Sequence, residues 1–335
     1  MIGKYKINIR NNKVNFELEI KRRITVIKGS SGTGKSTLIT YIDNFLHYGK
    51  ASGIKCMTDA DNLVVIKDDS DYEHILNKLI NKNVIIFLDE DVRLVKDNDF
   101  VRYVDNLGFY LVIISRDNLK YFDYAVDEVY EIHGEKRGKV TYNRLKRRYK
   151  GIEFRDTPDL LITEDSNFGY YVMKKLINCD VESACGKDKI KDIIIDKLST
   201  YNKVCILADG AAFGKNIEEI LILQTINRSK NIYLLLPESF EWIVLNTTPF
   251  INLVRDELNS TFDYADTLKY KSWENYFYEL LKEKACKYNV TYSKNRIGGF
   301  YKIYGKDINS MLSEIRGVLS NMSNSYSKRR HIWRD

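Results

Sequence analysis

Gly29-Ser30-Ser31-Gly32-Thr33-Gly34-Lys35-Ser36 decides the reading of this chain, because it fits G-x4-G-K-[ST] in full. It stands where that pattern has a mechanism, after the apolar run Ile24-Thr25-Val26-Ile27-Lys28 and before a helix expected over 35–48. Glycines let the backbone curl so that N–H groups face a β-phosphate, and the helix N-terminus adds its dipole. Lys35 reaches the β/γ-phosphates, the Ser36 hydroxyl coordinates Mg²⁺, and Ser30, Ser31, Thr33 and Thr37 complete the cradle. Val84-Ile85-Ile86-Phe87-Leu88-Asp89-Glu90 supplies the other half. A buried strand delivers Asp89 to the Mg²⁺ shell, and Glu90 is placed to orient or deprotonate an attacking water. The plainer alternative for that segment is a core strand ending in solvated acids. ATP with Mg²⁺ is the expected cofactor.

Working outward, 335 residues suit two domains better than one. Hydrophobic residues at 44% and charged residues at 30% exclude collagen-like, mucin-like and fully disordered chains. The longest apolar runs, 84–88 and 232–236, are far shorter than the roughly 18 residues a membrane span needs. The start Met1-Ile2-Gly3-Lys4 carries no apolar signal segment, so a cytoplasmic protein without a membrane partner is expected. Five cysteines without CxxC spacing indicate reduced thiols rather than a disulfide framework or a zinc ribbon. The net charge of +7 is concentrated in three runs, 136–139, 144–150 and 328–334. They read either as grips on nucleic-acid phosphates, with Tyr149 and Trp333 available to stack on bases, or as a solvated linker and a frayed C-terminus.

The prolines Pro158, Pro237 and Pro249 all follow the second basic run, and charge, glycine and proline together place a boundary near 150–158. Before it, a hairpin over 6–10 and 14–20 turns at Asn11-Asn12, and strands follow at 24–28, 63–66, 84–88, 110–114 and 129–132. After it, strands at 160–163, 181–183, 204–208 and 232–236 alternate with helices at 168–177, 187–198 and 216–225. Alternation of this kind predicts two α/β units with parallel sheets. Beyond residue 251 the pattern is mainly helical, clearest over 273–284.

Residues 1–150 resemble the ABC-type ATPase family. The opening strands are similar to its β-subdomain, Leu88-Asp89-Glu90 to its Walker B with the catalytic glutamate, and Leu111-Val112-Ile113-Ile114-Ser115-Arg116-Asp117 to its switch strand. Arg116 stands where the family has its switch histidine, and is positioned either to sense a γ-phosphate or to form a surface salt bridge. The stretch between Ser36 and Val84 is too short for the family's helical arm and holds no LSGGQ-like signature. The sole glutamine, Gln224, leaves no Q-loop. The resemblance therefore implies ATP binding with slow turnover.

In the second half, acids stand at strand ends, where open α/β sheets build sites: Glu164-Asp165 after 160–163, and Asp209-Gly210 after 204–208. Should the two strands be neighbours, Glu164 and Asp209 converge and can hold a divalent cation; the alternative is two helix N-caps. Residues 158–250 resemble a TOPRIM domain, with Glu164 matching its glutamate, residues 183–190 its second strand and glycine turn, and Ala208-Asp209-Gly210-Ala211-Ala212-Phe213-Gly214 its D-x-D-x-x-G motif. Ala211 stands where the second aspartate belongs, with Asp165, Glu238 and Glu241 as candidate substitutes.

The expected architecture is thus α/β: a minimal ABC-like P-loop domain over 1–150, a TOPRIM-like domain over 158–250, and a helical extension with a basic tail over 251–335. Such a fusion resembles the overcoming-lysogenisation-defect (OLD) nucleases and related phage-defence effectors. The resemblance implies an ATP-controlled, metal-dependent nuclease in which Glu164 and Asp209 hold Mg²⁺ or Mn²⁺ against DNA or RNA. The alternative is an ATP-controlled switch or scaffold whose degenerate TOPRIM-like domain binds a partner; either form leaves room for a homo-oligomer or a protein partner.

Overall fold

A computed structural model describes residues 2–67, 72–80, 82–90, 92–149, 157–295, 299–305 and 307–324. The chain divides into two compact units, Met1–Lys150 with Ser260–Lys271, and Gly151–Asn259 with Ser272–Asp335. Most of the expected boundary at 150–158, and the basic tail at 328–334 with Trp333, lie outside the described residues.

The first unit contains β1 (Tyr5–Arg10), β2 (Val14–Ile20), β3 (Ile24–Lys28), α1 (Lys35–Tyr48), β4 (Lys55–Thr58), β5 (Asn62–Ile66), α2 (Tyr72–Asn77), β6 (Val84–Leu88), α3 (Asn98–Leu107), β7 (Tyr110–Ile114), β8 (Val129–Arg137) and β9 (Val140–Arg147). Its strands form one sheet in the order β4-β1-β2-β9-β8-β3-β7-β6-β5. The sheet is mixed rather than parallel. β1 pairs antiparallel with β2 and β4, and β8 with β9, whereas β3, β5, β6 and β7 run parallel. The β1–β2 turn closes because the Asn11 side chain accepts from the N–H groups of Lys13 and Val14 at 2.8 and 2.9 Å.

Strand β6 is buried along its whole length because both of its faces are covered. Ile85 and Phe87 pack with Leu38, Ile39 and Ile42 of α1. The alternate residues Val84, Ile86 and Leu88 pack with Phe100 and Val104 of α3. Residues 260–271, expected in the helical extension, belong to this first unit. Tyr110 donates to the Gly3 carbonyl and to Asp266, and Arg23 donates to the Thr267 carbonyl at 2.6 Å.

The second unit opens with β10 (Leu160–Thr163), α4 (Phe168–Leu176), β11 (Asp180–Ser183), α5 (Ile190–Lys197), β12 (Lys203–Leu207), α6 (Gly214–Ile226) and β13 (Asn231–Leu235). All four strands are parallel, in the order β11-β10-β12-β13. The helices α7 (Phe240–Leu245), α8 (Thr248–Asn259), α9 (Trp273–Cys286) and α10 (Ile308–Asn324) follow. The helix expected over 187–198 is split, with a 3₁₀ turn at Lys187–Lys189 leading into α5. No helix among the described residues is long and apolar enough to cross a membrane.

Candidate nucleotide and acid sites

The nucleotide motif sits between β3 and α1. Gly29, Gly32 and Gly34 have φ of 138°, 85° and 93°, a region that a side chain rarely tolerates, and Gly34 is the N-cap of α1. The Lys35 side chain is buried and its ammonium donates to the carbonyls of Gly29 at 2.5 Å and Ser30 at 2.9 Å. Ser36 and Thr37 are exposed in the first turn of α1, while Thr33 is held by a hydrogen bond to the Ser30 carbonyl. Ser31 is exposed in the same loop. Its backbone shape, ammonium and hydroxyls fit a phosphate chain and Mg²⁺.

Asp89 and Glu90 follow β6 directly, and both are half-buried. The Asp89 N–H donates to the Ile66 carbonyl, and its carboxylate accepts from the Glu90 N–H at 2.8 Å, which fixes the turn. Strand β7 lies between β3 and β6, so Arg116 emerges from the strand that separates the two halves of the motif. Of its two readings the salt bridge is realised: the Arg116 guanidinium is ion-paired with the Glu90 carboxylate.

In the second unit β10 and β12 are neighbours, with Thr163 opposite Leu207, so their C-terminal acids converge. The Asp209 N–H donates to the Glu164 carboxylate at 3.0 Å. Both acids line a cavity of about 370 Å³ together with Asp165, Glu241, Glu274 and Lys294. Gly210, next to Asp209, lets the chain lie tight against the backbone after β13, since a Cβ there would lie 2.7 Å from the Leu236 carbonyl and 2.9 Å from that of Pro237. Desolvation pushes the Glu164 carboxyl above the usual range. It pushes Asp209 well above that range, with the neighbouring Glu164 charge adding to the shift. Burial likewise raises Asp165 and Glu241.

Of the candidate substitutes for the absent second aspartate, Asp165 and Glu241 line the cavity and Glu238 is not among its lining residues. Glu241 is 2% exposed and accepts from the Tyr292 hydroxyl at 3.0 Å. Among the described residues no three or more His, Cys, Asp or Glu side chains are grouped to hold a metal ion, so the acids as arranged do not fit a divalent cation. Three residues of this cavity escape sequence reasoning: Glu274, Tyr292 and Lys294. They come from the helical extension and carry no motif. The one signal was the amphipathic pattern of α9, which marks a packed helix but not which of its acids faces a site.

The basic runs take a definite form. Residues 136–139 are not a linker but the tip of the β8–β9 hairpin, turning at Gly138, and 140–147 form β9. Their arginines are paired with acids: Arg137 with Glu135, Arg144 with Glu17, Arg147 with Asp127 and Arg148 with Glu131. The charges hide the arrangement that places Asn143 inward between the half-buried Tyr142 and the exposed Arg144. No protein-family model and no curated protein sequence matches the chain.

Proposed function

We propose that the chain is an ATP-binding P-loop protein in which Mg·ATP, held by residues 29–37 with Asp89, governs a TOPRIM-like second unit that serves either as a switch or scaffold or as a metal-dependent nuclease. The observation that carries this reading is the strand, positive-φ loop and helix of the nucleotide motif, with the Asp89-Glu90 acids on a parallel strand of the same sheet. In the proposed reaction Lys35 would leave its loop carbonyls for the phosphates, Ser36 and Asp89 would hold Mg²⁺, and Glu90 would position water once released by Arg116. Bound Mg²⁺ would neutralise the developing phosphate charge. ABC-like describes the first unit as a resemblance in topology and motif, without arm or signature.

For the second unit two readings remain distinct. A metal-dependent nuclease is supported by the convergence of Glu164 and Asp209 at the ends of adjacent strands. A non-catalytic switch or scaffold is supported by Ala211 and by the lack, among the described residues, of a third acid in coordinating position. The geometry favours the second reading for the cavity as it stands. Plasmid DNA and total RNA, incubated with Mn²⁺ with and without ATP, test the choice. The switch reading expects intact substrate from wild type. Cleavage that Asp209→Ala and Lys35→Ala both abolish would establish the nuclease reading instead.

A further inference from the structure

The face of the first sheet turned away from α1 is polar, and its side chains stand in a row. Ile7, Ile9, Phe16 and Leu18 pack with Leu38, Ile39 and Ile42 of α1, so by alternation Asn8, Arg10, Asn15 and Glu17 lie on the other face. Strand register extends that face across four strands. Lys55 of β4 is opposite Arg10 of β1, Arg10 is opposite Asn15 of β2, and Asn15 is opposite Tyr142 of β9. All four line one cavity of about 890 Å³, and none of its lining residues belongs to the nucleotide motif.

Arg10 and Lys55 are like charges at directly opposed positions, an arrangement that destabilises a sheet unless an anion lies between them. No acid of the cavity supplies that anion. Glu17, the one acid among its described lining residues, accepts from the Arg144 guanidinium at 2.9 Å and from the Asn15 amide at 3.2 Å. Arg10 and Lys55 are exposed and have no ion-pair partner among the described residues, whereas Arg137 and Arg144 nearby are matched to acids. A phosphate group seated between the guanidinium and the ammonium would remove their repulsion and accept charge-assisted hydrogen bonds from both. The rest of the cavity sets what that phosphate carries. Asn15 is 6% exposed and held by the Asn8 amide, which donates to it at 2.8 Å. The Asn12 amide and the Tyr142 hydroxyl line the same cavity with no hydrogen-bond partner among the described residues. The Arg137 guanidinium lies over the Tyr142 ring, 5.5 Å from its centroid, which steadies that hydroxyl. An amide and a phenol beside two cations suit a ligand rich in hydroxyl groups.

We propose that this cleft is a second phosphate site, separate from the nucleotide motif, which binds a small sugar phosphate. Arg10 and Lys55 hold the phosphate, and Asn12 and Tyr142 bond the hydroxyls of the sugar. The two free cations are adjacent, so they serve one phosphate group rather than a run of them along a nucleic-acid backbone. A free sugar phosphate and a mononucleotide share this chemistry. The site goes beyond the proposed control by ATP and does not depend on Lys35.

Calorimetric titration of the full chain with ribose 5-phosphate, AMP, ribose and inorganic phosphate tests this in wild type, Arg10→Gln, Lys55→Gln, Lys55→Glu and Lys35→Ala. Wild type should bind ribose 5-phosphate or AMP, and Arg10→Gln and Lys55→Gln should each bind it about tenfold more weakly. Tighter binding of AMP marks a mononucleotide as the ligand, and tighter binding of ribose 5-phosphate a free sugar phosphate; either supports the site. Ribose, which lacks the charge, should not bind measurably, and inorganic phosphate should bind at least about tenfold more weakly than the sugar phosphate. Lys55→Glu turns the repulsion into a cross-strand ion pair, so its unfolding midpoint should equal or exceed that of wild type while binding is lost. Lys35→Ala should leave affinity within about twofold, because the two sites share no residue. The proposal is overturned if wild type binds neither ribose 5-phosphate nor AMP, if binding survives Lys55→Glu or is lost in Lys35→Ala, or if inorganic phosphate binds equally well. Oligothymidylate that binds through Arg10 and Lys55 more tightly than both small ligands also overturns it, and assigns the face to a nucleic-acid strand.

Discussion

Gly210 stands where a methyl group has no room. A Cβ there meets two backbone carbonyls, Leu236 and Pro237, and backbone cannot swing away as a flexible side chain can. Gly210→Ala should therefore cost about 1–3 kcal/mol, read as a lowered unfolding midpoint, and it should disturb the Asp209 N–H bond to Glu164. An unchanged midpoint would contradict this packing. At Asp209 and Glu164 the sign of the pH dependence follows from both carboxyls being raised in the folded state. Their protonated forms are favoured by folding, so their contribution is full below the ordinary carboxyl pKa and is lost as pH rises through the raised folded values. Asp209→Asn should accordingly stabilise the protein at pH 7.5, read as a raised unfolding midpoint, and flatten the gain seen on mild acidification. Thermal melts of both proteins between pH 5 and 8 check it. Glu164 and Asp209 were legible in the sequence because strand ends expose their acids to one crevice. Lys294 and Glu274 were not, since tertiary packing rather than any local pattern brings them there.

At the scale of elements, the P-loop helix and its strands follow directly from pattern. Lys35–Tyr48 and Val84–Leu88 have the bounds that the motif and the apolar run predict, because a phosphate loop fixes a helix start and a strand covered on both faces must be continuously apolar. The β8–β9 hairpin was harder to read. Its basic residues mask a period-two pattern, and their pairing with Glu17, Asp127, Glu131 and Glu135 emerges only across strands. The ends of β6 and β7 also meet in a pair that spacing left open, Glu90 with Arg116. Such a partly exposed pair is worth only about 0.2–1 kcal/mol, so under the proposed function the γ-phosphate of ATP would draw Arg116 away and free Glu90. Glu90→Gln should abolish hydrolysis while leaving ATP affinity within about twofold, and Arg116→Ala should weaken the preference for ATP over ADP. Wild-type turnover should stay far below the typical enzyme rate of about 10 per second, because no signature motif is present to complete the site. Steady-state phosphate release and competitive nucleotide titration measure all three. Hydrolysis that survives Glu90→Gln would remove Glu90 from its role.

On the scale of the whole molecule, the fold class was legible and the sheet composition was not. Alternating apolar runs announce α/β units, but they do not distinguish a mixed nine-stranded sheet from a parallel one. The hairpin of β1 and β2 announces one antiparallel pair, whereas the further antiparallel pairs depend on the short β4 and the basic β9, which the pattern of apolar runs does not mark. The net charge of +7 is a weaker pointer to nucleic acid than its clustering suggests, since the hairpin arginines are committed to acids. The proposed function turns on the nucleotide motif at 29–36. Calorimetric titration of Mg·ATP into wild type and Lys35→Ala addresses it most directly. Wild type should bind, and Lys35→Ala, folded to the same midpoint, should bind about 100-fold more weakly, the loss of about 2.7 kcal/mol expected when a charged phosphate contact is removed. Equal affinity in the two proteins, or no binding by wild type, would contradict the account.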